Sequence, residues 1–173
     1  MDILLQIILT AAVIMDVRTG KIDNRLLGGS MLTGVLLQIL ACGAEWYFVL
    51  LRAAFPAAVF WLLFRMRVLG AGDIKLFSVI GCFWSFQNLL YCIGFSFAAG
   101  AVFSLIRLIR LRELISSFAS VLSYFQSIFR QGRVEQYPGR DRQGHQIHFS
   151  VAVYFGFLLT LGAFYGEYLR NFI

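Results

Sequence analysis

The chain reads as an all-α membrane protein: six transmembrane helices, a cytoplasmic amphipathic helix, and both termini extracytoplasmic. Three observations predict this class. Of 173 residues, 60% are hydrophobic and only 14% charged, against about 25% charged in a soluble domain. The apolar residues run in long blocks rather than in alternation, and blocks of about 20 residues are what a hydrocarbon core demands. Lysines and arginines gather on alternate connections between the blocks, as expected of a multi-pass chain under the positive-inside rule. Length suits one domain over 1–173, with a cytoplasmic helix and loop at about 112–146.

The first block runs from Ile3 to about Met15 and reaches Val17 only by including Asp16. It has no basic start and no small-x-small cleavage pattern, so it is a retained span rather than a signal peptide. The second covers Leu26 to Ala44. The third covers Trp46 to Phe64 and contains Pro56, which a span tolerates where neighbouring helices satisfy the freed carbonyl. The fourth lies between Arg67 and Gln87, the fifth covers Leu89 to Ile106, and the last covers Phe149 to Leu169.

Arg18, Lys21 and Arg25 follow the first span; Arg65, Arg67 and Lys75 flank the third-to-fourth connection. Arg107, Arg110, Arg112, Arg130, Arg133, Arg140 and Arg142 crowd the fifth-to-sixth. These three connections are therefore cytoplasmic. Within the last of them, residues 113–129 place Leu114, Phe118, Val121, Leu122, Phe125, Ile128 and Phe129 at helical spacing, with serines opposite. That pattern predicts a helix lying on the cytoplasmic leaflet. The net charge of +6 follows from these topology arginines, and no basic-aromatic surface points to nucleic acid.

Cys42, Cys82 and Cys92 all fall in apolar blocks without a C-x-x-C pair. They read as buried structural thiols. With His145 and His148 they would sit at incompatible depths for a zinc site, so no metal and no cofactor is expected.

Asp16 and Asp73 are the two acidic residues attached to spans near the cytoplasmic side. An ionisable group there is costly, and marks function by default. Asp73 lies in "VLGAGDIKLF", where Gly70 and Gly72 permit backbone angles that other residues resist, letting the chain break and another segment approach. A lone aspartate at a helix start is more often an N-cap than a functional group. Two carboxylates at matching depth suit a different task. If they approach closely they share a proton, so one can take a proton from water while the other donates to a carbonyl, as in aspartic proteases.

These stretches carry a family resemblance. "DVRTGKIDN" (Asp16 to Asn24) and "GAGDIKL" (Gly70 to Leu76) resemble the two aspartate boxes of type IV prepilin peptidases, membrane aspartic proteases of the GxGD class. The six-span layout is similar too. The resemblance implies that Asp16 and Asp73 are the catalytic pair and that Gly70 and Gly72 shape the loop. Lys75 matches the family lysine, either supporting the ionised aspartate or snorkelling as a topology residue. Asn24 either ties the first loop to the site or caps the second helix, with the cap the favoured reading. Asp23 stands where the family has proline, and the last span opens on "IHFSVAVYFG", with Ser150 and no proline. Longer members carry an amino-terminal segment with paired C-x-x-C motifs, associated with methylation of the product. This chain resembles the short, peptidase-only form, so no methyltransferase activity is expected.

The implied activity is removal of the basic leader of a prepilin or pseudopilin at the cytoplasmic face of a bacterial or archaeal plasma membrane. The partners would be that substrate and the lipid bilayer. Two other classes fit the bare residues: a proton-coupled transporter using the aspartates as a relay, and a non-catalytic scaffold of a pilus or secretion assembly with both aspartates as caps.

Overall fold

The computed structural model describes residues 1–42, 46–66, 68–110 and 149–170. All regular structure among these residues is helical. The helices are α1 (Asp2–Thr19), α2 (Asn24–Cys42), α3 (Trp46–Val59), α4 (Trp61–Arg65), α5 (Ala71–Phe83), α6 (Phe86–Arg110) and α7 (Phe149–Arg170). The chain divides into two compact units. One comprises Met1–Gly100 and His148–Ile173; the other is Ala101–Ile147. In the second unit the described residues are the last turns of α6. The expected amphipathic helix at 113–129 lies outside the described residues.

In the first unit, α5 is the central element, packed against α1, α2, α3 and α7. Its sequence explains this. From Leu76 to Phe83 every residue is buried, including Ser78, Gly81 and Cys82, and a helix apolar all round needs protein all round. The outer helices instead present one stripe. On α1 the buried residues are Leu5, Ile8, Leu9 and Ala12, one helical face at spacings of three and four. Their opposite faces are apolar but uncovered: Ile3 is 75% exposed, Leu40 79% and Leu51 64%.

The fourth block forms less helix than its length suggests. α5 has 13 residues, about 20 Å at 1.5 Å per residue; its start at Gly70 and Ala71 is exposed, while its C-terminal end at Phe83 and Trp84 is buried. Helix ends leave carbonyls without intrahelical partners. Here α2 and α3 supply them: Gln38 Nε2 donates to the Phe83 carbonyl at 2.6 Å, and Arg52 Nη1 to the Trp84 carbonyl at 2.8 Å. The Trp84 indole N–H donates in turn to Asp2 Oδ1 on α1 at 2.9 Å. Arg52 stands outside the expected gathering of cations on alternate loops. It lies within α3 because a guanidinium can extend to a helix C-terminus, where its charge also suits the dipole.

The third block is also interrupted, dividing at Phe60 into α3 and α4. Pro56 lies one turn before the break and cannot donate to the carbonyl of Arg52. Gly81 of α5 approaches that freed carbonyl: a Cβ built on Gly81 would lie 2.5 Å from the Arg52 oxygen. Two sequence oddities, a mid-helix proline and a mid-helix glycine, are thus the two sides of one close contact. Gly156 plays the same part between α7 and α6, where a Cβ would meet the backbone nitrogen of Ser96 at 2.6 Å.

One helix, over Phe86–Arg107, is long and apolar enough to cross a membrane among the described residues; Trp46–Val59 and Phe149–Ala163 are shorter apolar helices. Its 22 residues span about 33 Å, matching a hydrocarbon core of about 30 Å.

Candidate active site

Asp16 lies in the last turns of α1. The helix continues through it to Thr19 and ends at Gly20, whose φ of 66° is left-handed and whose N–H closes on the Asp16 carbonyl at 2.8 Å. This is a glycine-terminated C-cap. It turns the chain at once into the short link 20–23. Asp16 is half-buried, and its Oδ2 accepts a hydrogen bond from the Ser150 hydroxyl of α7 at 2.5 Å.

Asp73 occupies the third position of α5, also half-buried. The N-cap is Gly70, not Asp73. The Asp73 carboxylate reaches back to accept the Gly70 backbone N–H, the contact that the third residue of a capping box makes. Gly70 is in ordinary extended backbone, with φ −75° and ψ 149°, so the expected need for unusual angles is not met here. What Gly70 supplies is space, since a Cβ there would lie 2.9 Å from Asp73 Oδ2. Gly72 is within the first turn of α5, and faces the Ile22 side chain at ordinary contact distance, 3.4 Å from a would-be Cβ.

The two aspartate stretches meet. α1 packs on α5, which brings Asp16 within electrostatic reach of Asp73. Ile22, in the link after Asp16, rests on Gly72. Lys75 Nζ donates to Asn24 Oδ1 at 2.6 Å, fastening the start of α2 to the first turns of α5. The cap of α2 is Asp23, whose Oδ1 accepts the Arg25 N–H at 2.9 Å. This corrects the favoured reading of Asn24 as the cap. It also gives Asp23 a physical reason to stand where a proline was expected: both begin a helix well, one by accepting an N–H and the other by lacking one.

Sequence reasoning noted Ser150 only as a departure from a family proline, without a role at the site, and missed Ile22. Ser150 is fully buried, and its signal was a hydroxyl in an otherwise apolar run. Among the described residues, no three His, Cys, Asp or Glu side chains group closely enough to hold a metal ion.

A sequence model of the type IV leader peptidase family matches residues 3–105. The chain belongs to the type IV leader peptidase family. Membership makes it a peptidase of the leader-peptidase kind, and the matched segment contains Asp16, Asn24, Gly70, Gly72, Asp73 and Lys75. Ser150 lies beyond it. No curated protein and no solved structure matches the chain significantly.

Proposed function

We propose that this type IV leader peptidase is a membrane aspartic endopeptidase that cuts the basic leader from a prepilin or pseudopilin at the cytoplasmic face. The observation that carries the reading is the approach of Asp16 and Asp73 from two separate helix ends. In this mechanism one carboxylate takes a proton from a water held between the pair, and the water oxygen attacks the scissile carbonyl carbon. The other, protonated carboxyl gives its proton to the carbonyl oxygen. Collapse of the tetrahedral intermediate breaks the C–N bond. The leaving amine takes the proton that came from water, a hydroxyl of the collapsing intermediate returns a proton to the other carboxylate, and the pair is restored.

Six spans, with extracytoplasmic termini, accompany this proposal. The apolar exterior supports it, as does the length of α6. Both aspartates lie near cationic loop residues (Arg18 and Lys21 after Asp16, Arg65 before Asp73), which the positive-inside rule assigns to the cytoplasm.

The test is co-expression with candidate prepilins, reading leader loss by mass. Asp16→Asn and Asp73→Asn should each lower cleavage at least about 10³-fold, the scale of losing a group that acts directly on the reacting atoms, while membrane insertion persists. Normal cleavage by either variant removes the mechanism. Proton-coupled uptake without cleavage by the unmodified protein would instead establish a transporter.

A further inference from the structure

We infer that Ser150 is a positioning residue for the hydrolytic pair, orienting the Asp16 carboxylate through the hydrogen bond from its hydroxyl. The inference rests on the two-aspartate reading above.

Most hydroxyls of the described helices bond back to their own helix. Ser30 donates to the Leu26 carbonyl, Thr33 to Gly29, Ser96 to Cys92 and Thr160 to Gly156, the usual behaviour of serine and threonine within helices. Ser150 reaches across to another helix. Its Oγ lies 2.5 Å from Asp16 Oδ2. Ser150 is fully buried, so water does not compete for the hydroxyl.

The donor is also held in place. Phe149 packs its ring against Phe77 of α5 and Phe97 of α6, with centroids 6.4 and 5.4 Å away. One turn on, the Tyr154 hydroxyl lies 3.3 Å from Thr10 Oγ1 of α1, and Phe157 stacks on Trp84 at 4.9 Å. Contacts on both sides of Ser150 thereby fix the register of α7 against α1 and α5. A rigid donor on one carboxylate oxygen sets the rotation of the whole group. It thus restrains how the carboxylate is presented to the reacting groups, and small misplacements of reacting groups are costly. The distance from Asp16 to Ser150 in sequence hides this role from motif reading.

The experiment uses the full-length protein in detergent with a prepilin that it cleaves, comparing Ser150→Ala, Ser150→Thr, Asp16→Asn and the buried-hydroxyl control Ser30→Ala. Ser150→Ala should lower kcat about tenfold, the worth of one hydrogen bond to a charged group, with KM changed less than about twofold, as for an interaction felt in the reacting state. Ser150→Thr keeps the hydroxyl and should recover most of kcat; Ser30→Ala should behave as the unmodified protein. A normal kcat in Ser150→Ala, with Asp16→Asn inactive, overturns the role of Ser150 and leaves the two-aspartate reading intact. Cleavage surviving in Asp16→Asn overturns that reading and the inference with it. If Ser150→Ala loses thermal stability and kcat together and Ser150→Thr recovers neither, Ser150 is a packing residue and the inference fails.

Discussion

Gly70 shows how a single missing side chain can be tied to a site. Its backbone angles are open to any residue, so alanine costs nothing in conformation. Alanine's Cβ, however, would lie 2.9 Å from Asp73 Oδ2, and the carboxylate would have to rotate away. Gly70→Ala should therefore leave the thermal unfolding temperature nearly unchanged while lowering leader cleavage about 10–100-fold, as expected for a reacting group displaced by a fraction of an ångström or more. Unchanged cleavage would show that the Asp73 rotamer does not matter. The Lys75–Asn24 bond works differently, because both side chains are exposed. Its loss should cost under about 1 kcal/mol in stability.

At the scale of elements, α5 depends on its neighbours for its whole surface and for its C-terminal carbonyls. Gly81→Ala tests how tightly it is held. Alanine adds about 1 kcal/mol of helix propensity, but its Cβ would press on the Arg52 carbonyl at 2.5 Å, and a backbone carbonyl cannot change rotamer to escape. Overpacking of about 1–3 kcal/mol should win, lowering the thermal unfolding temperature. Gly94→Ala meets nothing within 4 Å and should be neutral or stabilising by up to about 1 kcal/mol. Equal effects at the two positions would contradict the close approach of α3 and α5. The break at Phe60 and the short extent of α5 were not legible in the sequence. Hydropathy reports which residues avoid water, whereas helix ends depend on partners such as Gln38 and Arg52, which come from distant positions.

At the scale of the molecule, the apolar exterior and the loop charges lead to one topological prediction. With Cys42 replaced by alanine, the remaining Cys82 and Cys92 are buried, so a thiol reagent reports on an introduced cysteine. Lys21→Cys should be labelled from the cytoplasmic side and Gln87→Cys from the opposite side. Labelling of both from one side would sink the six-span arrangement. The helical class was legible from block length. Both aspartate boxes were legible as well, because each keeps its signature within a few neighbouring residues. Asn24 was only half legible: its place in the box was visible, but whether it capped α2 or tied the loop depended on where Lys75 would come to lie.

The sequence by itself determined the apolar blocks, the all-helical class and the two aspartates with their flanking residues, since each is encoded by composition or by spacing along one segment. Tertiary structure alone decided that Asp16 and Asp73 approach, that Gly70 makes room for a carboxylate, and that Ser150 donates to one. The reason is that these are distances between helices brought together by packing on α5. A hydrogen bond between residues 16 and 150 has no period or local pattern by which a chain could announce it.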